Sequence, residues 1–183
     1  MSELKKEFIR KSIHFIGLSY IPAYLYFGRE ILILGIITAL SFSAIFEFFR
    51  LKYGILSFVV REYEKKKIGA YIYFGIAALA ITAVFPMEAC FAAVLISIVG
   101  DGIGGIVKRL KFRHSETLAT LVMILLPFAL SLFLLKPFPA LIACIAGALT
   151  ERIERVGRYY IQDNLSVPLI AAAVYVSVNY ILP

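Results

Sequence analysis

The chain has 183 residues, a hydrophobic fraction of 61% and a formal net charge of +7. Together with a mean hydropathy of +0.88, this composition excludes a soluble globular domain and indicates an integral membrane protein. The positive charge alone would suit nucleic acid, but the positions of the basic residues assign it to membrane topology and exclude that partner. We predict one all-α, membrane-embedded domain that covers residues 1–183.

Seven apolar runs, separated by polar connections, follow one another along the chain. They cover residues 13–27, 31–49, 70–85, 89–107, 118–135, 138–149 and 167–182. A transmembrane helix needs about 20 apolar residues, so the first and sixth runs are short, and tilted or partly re-entrant segments stay open for them. The runs predict a polytopic protein with about seven transmembrane helices.

Lysine and arginine residues cluster before the first run and after the second, fourth and sixth runs. The opposite side of the predicted bundle receives only Arg29 and Lys136. Because cytoplasmic loops are enriched in basic residues, this asymmetry predicts a cytoplasmic N-terminus and an external C-terminus. A small single domain of this kind favours the cell membrane of a prokaryote, with the polar site facing the cytoplasm.

The stretch 98–109 departs from ordinary transmembrane sequence. It places Asp101 among four glycines and ends in two basic residues: Gly100, Gly102, Gly104, Gly105, Lys108 and Arg109. A carboxylate inside the apolar layer costs about 2.5–3.5 kcal/mol on insertion scales, which makes Asp101 a candidate functional residue.

A helix through this stretch would place Asp101, Gly104, Gly105 and Lys108 on one face. That face would carry an acid, a gap without side chains and an amine, which fits a metal-bound phosphate. The alternative is a close helix-packing face on which Asp101 pairs with a basic neighbour.

Further polar residues lie at the predicted cytoplasmic ends of other runs. They are His14, Glu47, Ser115, Glu116, Asp163 and Asn164. Each has a structural explanation of its own: packing for the histidine, an ion pair with Arg50 for Glu47, and helix capping for the residues before the fifth and last runs. Their shared depth is harder to explain in this way, because a transporter would scatter polar residues through the whole membrane.

This distribution suits an enzyme that acts on a lipid and on a charged cytosolic substrate. Acids beside lysines and arginines indicate Mg²⁺ and phosphate, because Mg²⁺ is held by one or two carboxylates together with substrate phosphates. The residues favour phosphoryl or nucleotidyl transfer to a membrane lipid. The alternatives are a cytidylyltransferase of the CDP-lipid synthase type and a non-enzymatic transporter or scaffold.

Five short motifs occur in order along the chain. They are Glu7-x-x-Arg10-Lys11-x-x-His14, Glu47-x-x-Arg50, Gly69-Ala-x-x-Tyr73-Phe74, Gly100-Asp101-Gly102-Ile-Gly104 and Asp163-Asn164-Leu-Ser-Val-Pro168. On a seven-span frame, they resemble the motifs of the CTP-dependent polyprenol kinases: dolichol kinase, phytol kinase and the CTP-dependent diacylglycerol kinase. The chain departs from the family pattern after Asp101, where Gly104 replaces an alanine.

The resemblance implies a kinase that transfers the γ-phosphate of CTP, or of another nucleoside triphosphate, to an isoprenoid alcohol such as dolichol, phytol or geranylgeraniol. Mg²⁺ is expected at Asp101, with Asp163 and Asn164. The expected nucleotide- and phosphate-binding residues are Arg10, Lys11, Gly102, Gly104, Gly105, Lys108, Arg109, Ser115 and Glu116. Either His14 or Glu47 is the expected base beside Asp101. The sequence leaves open this choice, the lipid and whether the chain forms homo-oligomers.

Overall fold

The computed structural model describes residues 11–12, 14–54, 66–110, 112–153, 155–156 and 159–181. Within these ranges the chain is helical apart from one short β-ladder, so the prediction of a helical protein is confirmed. The ladder pairs two antiparallel strands of two residues each, β1 (Arg155–Val156) and β2 (Tyr159–Tyr160), which the all-α prediction does not include.

The helices correspond closely to the predicted apolar runs. A 3₁₀ turn, Ile16–Ser19, leads into the first of them. The α-helices are α1 (Tyr20–Tyr53), α2 (Ala70–Val84), α3 (Met87–Leu95), α4 (Asp101–Arg109), α5 (Ser115–Ser131), α6 (Pro137–Glu151) and α7 (Asp163–Ile181). A π-helical segment, Ile96–Gly100, joins α3 and α4 into one continuous helix.

The helix α1 breaks at Gly28. The φ of 77° and ψ of 176° at this residue are not helical, and residues with a Cβ rarely adopt such a positive φ. Arg29, the next residue, donates a hydrogen bond to the backbone oxygen of Ala83 near the end of α2. The break therefore separates two helical segments at the connection predicted between the first two runs.

Within the described residues, three stretches of helix are long and apolar enough to cross a membrane: Ile16–Tyr53, Met87–Arg109 and Asp163–Ile181. The apolar helices α2, α5 and α6 have 15, 17 and 15 residues. At 1.5 Å per residue they reach about 22–26 Å, short of a hydrocarbon layer of about 30 Å. These helices are compatible with a membrane protein, and the count of seven spans and the orientation of the termini stay predictions.

The continuous helix Met87–Arg109 lies at the centre of the bundle. In its most apolar window 72% of the residues are buried, against 6% for Ile16–Tyr53. Phe91, Ile96 and Ile98 on this helix belong to the apolar core, to which the neighbouring helices contribute as well. Burial decreases where α4 begins, and the polar residues described next lie there.

Candidate functional site

Asp101 is the first residue of α4 and follows directly on the π segment. Lys11 Nζ lies 2.5 Å from Asp101 Oδ2 and donates a second hydrogen bond, of 3.0 Å, to the backbone oxygen of Asp101. The lysine is 4% exposed, so its ammonium is buried in this contact. The two residues are 90 positions apart in the chain. The ammonium of Lys11 therefore has a defined position on the Asp101 carboxylate.

Two of the glycines permit close approach of the N-terminal segment to α4. A Cβ on Gly105 would lie 3.1 Å from Lys11 Cε and 3.2 Å from Lys11 Nζ. A Cβ on Gly102 would lie 2.9 Å from Cζ of Phe15, closer than real Cβ contacts. The lack of side chains at these two positions leaves room for Lys11 and Phe15 beside α4.

The other two glycines permit close packing against α5. A Cβ on Gly100 would lie 3.1 Å from the backbone oxygen of Met123, and one on Gly104 would lie 3.2 Å from that of Ala119. Backbone atoms cannot move aside as a flexible side chain does. Helix packing thus explains these two glycines, as the packing interpretation of the stretch proposes.

His14 lies beside Asp101. Its Nε2 donates a hydrogen bond of 3.1 Å to the backbone oxygen of Ser97 in the π segment and lies 3.9 Å from Asp101 Oδ2. Because a carbonyl oxygen only accepts, this contact places the proton of a neutral ring on Nε2. The ring also packs against Phe74 of α2, with centroids 5.6 Å apart. The structure thus brings His14, Lys11 and Asp101 together.

A cavity of about 320 Å³ opens beside Asp101 between α4, α5 and the end of α6. Its polar lining is Asp101, Lys108, Glu116, Thr120, Glu151 and Arg152. Gly104 and Gly105 line it as well, so all four residues expected on one face of a helix border the same space. Its volume lies at the lower end of the range for small-molecule sites.

Glu151 lies on the opposite wall of the cavity from α4. Its Oε1 is 4.0 Å from Lys108 Nζ. Its carboxylate also interacts electrostatically with Asp101, Asp163 and Lys11. The end of α6 is therefore part of the same charged region as the start of α4.

Glu47 belongs to a different cluster. It is 5% exposed and accepts four hydrogen bonds. Two come from Arg50 at 2.7 Å, one from the backbone nitrogen of Gly69 at 2.7 Å, and one from the hydroxyl of Tyr71. Arg50 also donates to the backbone oxygen of Lys67 at 2.6 Å. Both carboxylate oxygens are engaged, and Glu47 does not line the cavity.

The Glu47–Arg50 cluster joins the end of α1 to the start of α2. Gly69 precedes α2 and Tyr71 lies in its first turn. Phe74 follows Tyr71 by three residues, on the same face of the helix, and contacts His14. The cluster therefore positions the helix that packs against His14, and Glu47 has the ion-paired role that was the alternative to catalysis.

Ser115 and Glu116 begin α5, but neither caps it. The residue at the N-cap is His114, and its side chain makes no capping hydrogen bond. Ser115 is buried and does not line the cavity, whereas Glu116 is exposed and does. Of these two predicted phosphate-binding residues, the structure places one at the cavity.

Asp163 and Asn164 form the first turn of α7 and bind each other. Asp163 Oδ1 accepts hydrogen bonds from the backbone nitrogen and from Nδ2 of Asn164, at 2.8 and 2.9 Å. The helix begins at Asp163, so capping by Asn164 is wrong. Neither residue lines the cavity, although Asp163 is close enough to Glu151 to interact with its charge.

Two predicted phosphate-binding arginines lie elsewhere. Arg109 is exposed at the end of α4 and does not line the cavity. Arg10 lies outside the described residues.

Lys11 Nζ occupies the position 2.5 Å from Asp101 Oδ2, so a divalent cation on this carboxylate would have to displace the ammonium. Asp101 and, across the cavity, Glu151 are the residues that could hold it. Over the described ranges, no group of three or more histidine, cysteine or carboxylate side chains is arranged to bind a metal ion. A cation at this place would complete its shell with oxygens from a bound substrate, as Mg²⁺ commonly does.

Sequence reasoning missed Thr120, Glu151 and Arg152. Thr120 lies one turn after Glu116 on α5 and has no distinguishing sequence signal. Glu151 ends the sixth apolar run much as Glu47 ends the second, and this shared position was the available signal. Arg152 was counted only as one of the basic residues that indicate membrane topology.

No protein-family model, no curated protein and no solved structure matches this chain.

Proposed function

We propose that this chain is a membrane-embedded lipid kinase. It transfers a phosphoryl group from a magnesium-bound nucleoside triphosphate, CTP by its resemblance to the polyprenol kinases, to a lipid alcohol such as dolichol, phytol or geranylgeraniol. In this proposal seven spans cross the cell membrane, with the N-terminus cytoplasmic and the C-terminus outside. The cavity beside Asp101 faces the cytoplasm, where the nucleotide is dissolved.

The mixed charge of the cavity is the observation that supports this function best. Three carboxylates and two cationic side chains share one lining: Asp101, Glu116, Glu151, Lys108 and Arg152. A bare anion would be repelled by the carboxylates, and a bare metal ion by the cations. A complex of Mg²⁺ with a phosphate chain carries both signs and can place each beside its opposite.

Asp101 would hold Mg²⁺, with Lys11 turned from the carboxylate toward the phosphates. Bound Mg²⁺ supplies charge neutralisation and orientation of the phosphate oxygens. The alcohol oxygen forms its bond to the γ-phosphorus as the bond from this phosphorus to the β,γ-bridging oxygen breaks, and the departing nucleoside diphosphate keeps the electron pair. Lys11 and Lys108 stabilise the charge that develops on the phosphate oxygens, and such electrostatic stabilisation usually contributes most to the rate of this kind of reaction.

The proton of the lipid hydroxyl goes to His14 in this mechanism. Of the two candidate bases, His14 lies beside Asp101, whereas both oxygens of Glu47 are engaged by other partners. Since Nε2–H of His14 donates to Ser97, the ring accepts the new proton at Nδ1. Phosphoryl transfer depends mainly on positioning and electrostatics, so the base contributes modestly.

A transfer assay with labelled nucleotide tests the function. The purified protein in detergent receives Mg²⁺, γ-labelled CTP and a panel of phytol, geranylgeraniol, a dolichol and diacylglycerol. Label in the lipid phase supports the kinase. Label in pyrophosphate together with a cytidine-containing lipid indicates a CDP-lipid synthase instead. No product with any nucleotide or lipid, phosphatidate included, contradicts an enzymatic function and leaves a transporter or scaffold.

A further inference from the structure

Arg152 lines the cavity but has no part in the reaction as described above. It is the residue that follows α6, and its side chain extends to α5. Its Nε and one terminal nitrogen donate hydrogen bonds of 3.0 and 2.5 Å to Oγ1 of Thr120. The same terminal nitrogen donates to the backbone oxygen of Glu116 at 3.3 Å.

Both acceptors of Arg152 are uncharged. Among the residues that the structure describes, no carboxylate forms an ion pair with Arg152, whereas Lys11 pairs with Asp101 and Lys108 with Glu151. Its hydrogen bonds within these ranges use Nε and one terminal nitrogen, out of the five N–H donors of a guanidinium. Arg152 is exposed and thus combines a held orientation with a charge that makes no direct ion pair with a described carboxylate.

The position of this charge complements that of Lys108. Lys108 lines the cavity from α4, whereas Arg152 lines it from the end of α6, where that helix contacts the start of α5. Glu151 precedes Arg152 and lies 4.0 Å from Lys108. A guanidinium contacts phosphate oxygens through two parallel N–H donors, and a lysine contacts them as a point charge. A phosphate chain in the cavity would therefore have one cationic contact from α4 and another from the end of α6.

We infer that Arg152 is a phosphate-binding residue of this cavity and that Thr120 is the residue that positions it. The ligand is the phosphate chain of a magnesium-bound nucleotide, held between Arg152 and Lys108. The inference deepens the proposed function and rests on it, since it assigns a residue of the same site. A purely structural Arg152, which only ties α6 to α5, would affect stability and not anion affinity.

Calorimetric titration with magnesium tripolyphosphate tests this assignment on the full chain in lipid nanodiscs. Arg152→Gln is expected to weaken binding about ten- to a hundredfold, since a hydrogen bond to a charged group is lost. Arg152→Lys restores part of the affinity because it keeps the charge. Thr120→Val keeps the arginine and removes its anchor, and it weakens binding about fivefold. Lys136→Gln, at the other end of α6, is the matched control and binds as the unmodified protein does.

Equal affinity in Arg152→Gln and the unmodified chain overturns the inference. If Arg152→Gln does not fold, the affinity of Thr120→Val for magnesium tripolyphosphate tests the inference instead. Unchanged affinity in that variant contradicts the inference. Loss of binding in Lys108→Gln together with normal binding in Arg152→Gln would exclude Arg152 as a phosphate-binding residue. The proposed kinase function would still stand. Conversely, Arg152-dependent binding without any transfer from labelled CTP keeps the anion site and removes the kinase.

Discussion

Two carboxylate–cation pairs in this molecule resemble each other in sequence and differ in structure. Glu47 pairs with Arg50, three residues away, and the hydrogen bonds described for its carboxylate come from α1 and the start of α2. Asp101 pairs with Lys11, 90 residues away, and borders an open cavity. The first arrangement is enclosed by the contacts described for it, whereas the second borders a cavity that a ligand could enter. An acidic residue at the end of an apolar run is therefore not by itself a site.

The largest effect is expected from Glu47→Gln, which breaks the closed cluster. Arg50 would stay buried and lose the charge of the Glu47 carboxylate, and removal of one partner of a buried ion pair costs about 3–5 kcal/mol of stability. Denaturation in mixed micelles measures the change, and Glu88→Gln at an exposed position is the control, expected to shift stability by less than about 0.5 kcal/mol. Phosphoryl transfer per folded molecule should stay near that of the unmodified chain. A selective loss of turnover with normal stability would assign Glu47 to the active site.

Asp101→Asn is expected to remove activity, and because it also removes the charge that buried Lys11 contacts, activity is compared per folded molecule. The amide keeps the shape of the side chain but loses the charge that holds Mg²⁺, and the rate should fall by at least about a hundredfold. The labelled-CTP assay, normalised to folded protein by size-exclusion chromatography, measures this loss. Near-normal activity in the variant would remove Asp101 from the site.

Tyr71→Phe is a milder test of the closed cluster. It deletes one hydrogen bond to the Glu47 carboxylate and should cost about 1.5–3 kcal/mol of stability. Tyr73→Phe, in the same helix, removes a hydroxyl for which the structure shows no hydrogen bond within the described residues, and it serves as the control. Equal stability of the two variants would show that the tyrosine contact does not contribute.

The smallest effects are expected from alanine substitutions at Gly104 and Gly105, which should have different consequences. An alanine at 104 would place its Cβ 3.2 Å from the backbone oxygen of Ala119, so α4 and α5 would have to move apart slightly, which should destabilise the protein by about 1–3 kcal/mol. An alanine at 105 meets the flexible end of Lys11, so stability should be nearly unchanged while the KM for Mg·CTP rises a few-fold. Reversal of these two outcomes would contradict the packing assigned to α4.

Periodicity and apolar runs predict the helices well, because length and hydropathy are local properties. They do not predict the π segment before Asp101. Spacing alone places Lys108 beside Asp101, since both belong to one helix. The contact of Lys11 with Asp101 was not predicted, because no spacing rule joins residues 90 positions apart and Lys11 was expected only as a phosphate-binding residue.

The residues that sequence reasoning missed lie where the start of α5 contacts the end of α6. Arg152 has the same residue type as the topology signal around it, so composition could not single it out. Thr120 acquires its role only because α6 ends opposite it. In both cases the role of the residue depends on how two helices pack together, and the spacing of residues in one sequence does not reveal that packing.

Binding of Mn²⁺ in the presence of CTP, followed by the EPR signal of the free ion, tests the central claim most directly. The unmodified protein and Glu47→Gln, as far as it stays folded, should each bind one Mn²⁺ per chain when CTP is present, and Asp101→Asn should bind none. Undiminished Mn²⁺ binding by Asp101→Asn would contradict the assignment of the cavity beside Asp101 as the metal and phosphate site.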